Sequence, residues 1–245
     1  MPNNPFWAWV DEGEVPTLVI DGVIDTGTDW YSDAVTPRAF RAALDAHAGQ
    51  DILVSINSPG GDVFAGFEIY NLLAQHSGGV TVRVMGLAGS AASYIAMAAD
   101  PGKLQMCRAS MMMIHLPWSG GAGNADDLRA QAAVLDEIGE IMTDIYMQRA
   151  TCSRETLQAM LRAERYLSPT EAQAFGLCDD IVDAMEEDGE DEAAAAMRGR
   201  YAAMTMSQVK DLRKTLMIRS PRARQETEED TTDYLATADA LIADM

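Results

Sequence analysis

Lysine is nearly absent from this chain: residues 1–102 contain none, and Lys103 is the only one before Lys210. A serine–lysine dyad in that stretch would lack its base. Histidine is equally scarce, with only His47, His76 and His115, so imidazole chemistry has three candidates. Cys107, Cys152 and Cys178 are odd in number and lack C-x-x-C spacing, which argues against a disulfide framework or a zinc site and fits a reducing compartment. No apolar run approaches the roughly 20 residues of a membrane-spanning helix. The first residues carry no basic region and soon meet Asp11, Glu12 and Glu14, unlike a signal peptide. Positive charge is short throughout, with 18 Lys and Arg against 38 Asp and Glu, a net charge of -20 and a pI near 4.3. Nucleic acid and anionic membranes, which need clustered cations, are thereby disfavoured as partners. The expectation is a soluble cytoplasmic protein that needs no metal and no cofactor.

With 48% hydrophobic residues in 26.5 kDa, the chain can bury one large core and carry an appendage. Short apolar strands alternate with helices from residue 17 to 185, the pattern of an α/β fold. Strands are predicted at 17–20, 52–56, 81–85, 104–107, 111–114 and 180–183. Helices are predicted at 37–46, 63–75, 90–98, 125–148, 154–161 and 169–174. The longest helix opens on Asn124 as N-cap, with Asp126 and Asp127 favouring its dipole. Its apolar positions Leu128, Leu135, Ile138, Met142 and Ile145 line one face, which suits a helix packed on its own core; the alternative is a subunit interface, since Val134, Ile141 and Met147 widen the apolar surface beyond one stripe. From Glu186 the composition turns acidic: residues 186–245 hold 14 acidic and 8 basic residues and few large apolar ones. Residues 1–185 are therefore read as one domain and 186–245 as a flexible acidic tail.

The residues that could do chemistry sit at strand ends. Ser90, in Gly86-Leu87-Ala88-Gly89-Ser90-Ala91, follows a strand and opens an Ala-rich helix, whose free N–H groups suit a developing negative charge. A serine hydroxyl needs a base, and imidazole is the side chain suited to that near neutrality. His47 and His76 lie at helix C-termini, where a partly cationic ring suits exposed carbonyls. His115 instead ends the apolar run Met111-Met112-Met113-Ile114 and is followed by Pro117. Asn57-Ser58-Pro59-Gly60-Gly61-Asp62 reads as a tight turn between strand and helix that exposes backbone N–H groups. It is not a phosphate-binding Walker loop, and Gly-Ser-Ala-Ala is not the G-x-S-x-G elbow. Ser93, one helical turn on, is the rival nucleophile.

Ser-Pro-Gly-Gly, Gly-x-Ala-x-Ser and Met-Ile-His-x-Pro, in that order, resemble the ClpP family of serine peptidases. The likeness continues through Leu167-Ser168-Pro169-Thr170-Glu171-Ala172 and Phe175-Gly176-Leu177, and covers about residues 52–183. It implies a spiral of β-β-α units, as in ClpP and crotonases, with the long helix as a handle, and assembly into a homo-oligomeric ring. It also implies Ser90 as nucleophile, His115 as base and then acid, and the N–H groups of Gly61 and Ala91 as oxyanion hole. Glu164 stands where housekeeping members carry aspartate, and is the implied triad acid; the alternative is a surface salt bridge with Arg165. The stretches 57–71 and 123–128 look most like the phage head-maturation branch, which implies proteolysis of capsid or scaffold proteins. A general protein-degradation subunit and a capsid-assembly protein with incidental peptidase activity are the alternatives. Enoyl-CoA hydratases share the spiral but need no Ser/His pair.

Overall fold

Strand residues that alternate between buried and partly exposed build a single sheet, and helices cover its apolar faces. The computed structural model describes residues 9–10, 15–27 and 34–183. The strands are β1 (Trp9–Val10), β2 (Thr17–Ile24), β3 (Ile52–Gly61), β4 (Val80–Gly89), β5 (Leu104–Cys107), β6 (Met111–Ile114), β7 (Arg165–Leu167) and β8 (Asp180–Val182). The helices are α1 (Pro37–Ala46), α2 (Val63–Ala74), α3 (Ala91–Ala96), α4 (Ala125–Met147), α5 (Arg154–Arg162) and α6 (Pro169–Ala174). The order β1-β2-β3-β4-β5-β8 is parallel except at β1, and β6 joins β4 and β7. This is the mixed α/β architecture expected from the alternation. No helix among the described residues is long and apolar enough to cross a membrane. The proposed tail, 186–245, lies outside the described residues.

The division of labour along β4 positions the site. One edge of β4 pairs with β3. The other edge carries β5 along Val82–Val84 and then β6 along Leu87–Gly89. Both pairings are parallel, so β4 and β6 end side by side, Gly89 opposite Met113. Whatever follows these two strands must therefore meet.

Two differences from the sequence reading concern this region. Ser58-Pro59-Gly60-Gly61 is the end of β3, with a register shift after Ile56, and not a turn. Buried Ser58 explains the irregularity: its hydroxyl donates to Gly22 O at 2.5 Å and accepts from Gly60 N at 3.0 Å. The three-residue β7 was not anticipated, because so short a segment carries no readable period. On α4, Ile138, Met142 and Ile145 are buried as the stripe requires, whereas Leu128, Val134 and Ile141 remain exposed.

Two helical glycines should respond oppositely to the same change. A Cβ on Gly66 would lie 2.1 Å from the Tyr94 hydroxyl, which bonds Val63 O and ties α3 to α2. A Cβ on Gly139 would meet Leu116 Cδ2 at 3.4 Å, an ordinary contact. Gly139→Ala should stabilise by about 0.5–1 kcal/mol through reduced chain entropy. Gly66→Ala should cost about 1–3 kcal/mol by overpacking. Urea unfolding midpoints check both signs.

Candidate active site

Strand ends bring Ser90 and His115 together. Ser90 N donates to Met113 O at 2.8 Å, continuing the β4–β6 ladder by one residue. His115 follows two residues later, and its Nε2 lies 2.8 Å from Ser90 Oγ. Neither His47 nor His76 is near: His47 caps α1 and contacts Gln50, and His76 contacts Gln50 O. Ser93 is fully buried and bonded to Ser90 O and Tyr146, so it is not exposed to attack a substrate.

The Ser90 backbone is strained. Its φ of 51° and ψ of -121° lie outside the regions favoured by L-residues. Such conformations cost on the order of 1–3 kcal/mol and persist only where the surroundings enforce them. Gly60 makes room for this turn. A Cβ there would fall 2.7 Å from both Ser90 Cβ and Ala91 N, and 2.5 Å from Gly89 O. Gly61 is forced from the other side, since its Cβ would lie 1.9 Å from Ile24 O.

Backbone donors can be sorted by their bonds. Gly60 N–H is taken by Ser58, and Asp62 N–H by Ile24 O. In a parallel ladder the intervening Gly61 N–H then faces away from β2, toward the Ser90 side, beyond the last β3–β4 pair at Ser58. Ala91 N–H begins α3, where a helix has no internal acceptor to offer. Ala91 follows Ser90 directly, and a Cβ on Gly60, next to Gly61, would fall 2.7 Å from Ser90 Cβ, so both expected donors belong to segments beside Ser90.

Glu164 reaches the site by register. β6 and β7 are antiparallel with Ile114 opposite Arg165, so the next pair outward is His115 and Glu164. Glu164 is exposed, and no hydrogen bond joins it to the imidazole among the described residues. It acts on the ring through charge. Its φ of 52° places it in the left-handed conformation that closes α5, a position glycine usually holds. Arg165, the alternative partner of Glu164, lies 3.7 Å from Glu171, which caps α6.

Burial pushes the His115 pKa below its ordinary 6.5, and the Glu164 carboxylate and the Leu116 backbone offset this only in part. Only the neutral ring can accept the Ser90 proton. Lowering its pKa keeps it neutral to more acidic pH, so activity should persist as pH falls through 6.5. The acid limb of kcat/KM, which reports the free enzyme, should lie below that value. A limb above it would contradict the burial argument.

Comparisons with known proteins give the family. The family model described as Clp protease matches residues 35–185. The chain belongs to the Clp protease family. It is 33% identical over 183 residues to the ATP-dependent Clp protease proteolytic subunit 1 of Chlamydia caviae, covering 70% of this chain and 96% of that one. It is 34% identical over 172 residues to the ATP-dependent Clp protease proteolytic subunit of Deinococcus radiodurans, covering 69% and 84% respectively. The family is one of serine peptidases, and the architecture described above is consistent with its fold. These relatives are named as proteolytic subunits, and nothing among them points to capsid maturation, so the phage head-maturation branch implied by residues 57–71 and 123–128 is not supported.

Sequence reasoning missed the supports of this Clp protease site. Ser58 and Asn57 brace the end of β3, Asn57 bonding Asp21 and Leu87 N. Asn57 and Ser58 stood inside the recognised motif, but only the β2–β3–β4 pairing reveals what each one holds. Tyr146 offered no signal at all, since it reads as one more apolar position of α4.

Proposed function

We propose that this chain is a serine endopeptidase subunit of the general Clp type, acting on protein substrates as a homo-oligomeric ring. The observation that carries the reading is the 2.8 Å contact between Ser90 Oγ and His115 Nε2 at the paired ends of β4 and β6. Ser90 attacks the scissile carbonyl while His115 takes its proton and later delivers it to the leaving amine. Gly61 and Ala91 N–H groups receive the oxyanion, and Glu164 stabilises the imidazolium through its charge. No step calls for a metal or cofactor.

The relatives are named as ATP-dependent proteolytic subunits, which supports a partner-fed over an ATP-independent peptidase. Exposed Leu128, Val134 and Ile141, at 45%, 55% and 48% on α4, support assembly, because apolar surface of this kind marks an interface. The catalytic unit is assigned to residues 1–185. Truncation after Met185 should leave peptide hydrolysis intact.

Fluorophosphonate labelling tests the reading. An assembled triad reacts at Ser90 alone, in a particle that light scattering reports as several subunits. Absence of labelling, or labelling spread over other serines, would remove the peptidase reading.

A further inference from the structure

A buried chain of hydroxyls links α4 to the strained Ser90 turn. Ser93 Oγ lies 2.6 Å from Ser90 O and 2.6 Å from the Tyr146 hydroxyl. Both side chains are fully buried. Ser93 has one hydroxyl hydrogen, and the Ser90 carbonyl can only accept, so that hydrogen goes to Ser90 O and Tyr146 donates to Ser93. Ser93 N also donates to Ser90 O, at 2.9 Å, so the carbonyl accepts twice. A serine bonding back three residues is by itself a common local motif. A fully buried tyrosine from a helix 53 residues away, backing that serine, is not local.

What the chain holds is the peptide group between Ser90 and Ala91. That group is planar and trans, so its carbonyl and its N–H point in opposite directions. Fixing Ser90 O fixes the direction of Ala91 N–H. Hydrogen bonds accepted by the carbonyl also polarise the amide, which strengthens its N–H as a donor.

We propose that Ser93 and Tyr146 are positioning residues for the oxyanion hole: through Ser90 O they aim and polarise the Ala91 N–H, in a backbone conformation that would otherwise relax. This inference rests on the serine-peptidase reading above. Burial also holds the Tyr146 phenol above its ordinary pKa, so it stays protonated and able to donate at any working pH.

Tyr146→Phe, Ser93→Ala and the double variant test the inference through kcat, KM and the affinity of a peptide boronate, whose tetrahedral adduct fills the oxyanion hole. Each single change should lower kcat about tenfold, less than the 10²–10³ lost when an oxyanion donor is removed outright. KM and the acid limb of the pH profile should not move, because neither hydroxyl touches His115. Boronate affinity should fall in step with kcat. The double variant should match Ser93→Ala, since Tyr146 acts only through Ser93.

Folded variants with wild-type kcat and wild-type boronate affinity would overturn the proposal, as would additive losses in the double variant. If Tyr146→Phe fails to fold, Ser93→Ala decides alone, because it removes one oxygen and leaves a good helix former. A wild-type protein that neither hydrolyses peptides nor binds boronate would instead sink the peptidase reading, and this inference with it.

Discussion

Replacing Ser90 with alanine should reduce turnover by about 10⁶-fold, the scale of losing a triad nucleophile, with the fold unchanged. The size follows from chemistry, since among the described residues no other hydroxyl bonds His115 Nε2. Ser93 is buried and committed to Ser90 O and Tyr146, and His115 points its Nε2 at the lost oxygen. The fold should survive because the Ser90 hydroxyl contacts His115 and caps nothing in α3. The structural bond at this residue is made by its backbone, Ser90 N to Met113 O, which alanine keeps. Hydrolysis of a denatured protein, followed alongside circular dichroism, gives both halves of the result. Unchanged cleavage by the folded variant would refute Ser90 as nucleophile.

Glu164→Gln should slow catalysis about a hundredfold, short of the roughly 10⁴ lost when a triad carboxylate bonded to its histidine is made neutral. The difference reflects geometry. Glu164 is exposed and influences His115 by charge, without a hydrogen bond to the ring. That charge raises the His115 pKa against the dominant effect of burial. Removing it should move the acid limb of kcat/KM to still lower pH while kcat falls, because the imidazolium formed during attack loses its counter-charge. Glu137→Gln, an exposed change of the same charge on α4, should do neither. Equal, mild effects from the two would show that Glu164 has no part in catalysis.

The left-handed backbone at Glu164 adds a second arm. Glycine adopts that conformation without the roughly 1–2 kcal/mol penalty of an L-residue. Glu164→Gly should therefore raise stability by about 1 kcal/mol while losing activity as Glu164→Gln does. Such opposite movements mark a residue retained for its charge and not for its fit. Parallel losses of stability and activity would assign Glu164 a structural role.

Elements with strong local signals were legible in the sequence. The helices expected at 37–46 and 169–174 are α1 and α6, and Asn124, read as the N-cap of α4, accepts from the Asp126 and Asp127 N–H groups. β5 and β6 could be bounded to the residue because their apolar runs stop abruptly. The order and spacing of the motifs also singled out Ser90 and His115, each standing directly after a strand, where a side chain reaches the end of the sheet.

Tertiary structure decided what depends on pairing between distant segments. That β3 continues through Ser58-Pro59-Gly60-Gly61 depends on Gly22 accepting from Ser58 and on the space beside Ser90, neither of which local propensity encodes. Glu164 became the neighbour of His115 only through the register of β6 and β7, and a three-residue strand announces no register. The meeting of Ser90 and His115 rests on β4 lending one edge to β5 and then to β6. Side-chain type and helix period are local properties of a chain, whereas the direction of a carbonyl, the burial of a ring and the partner of a hydroxyl are set by what packs against them from far along it.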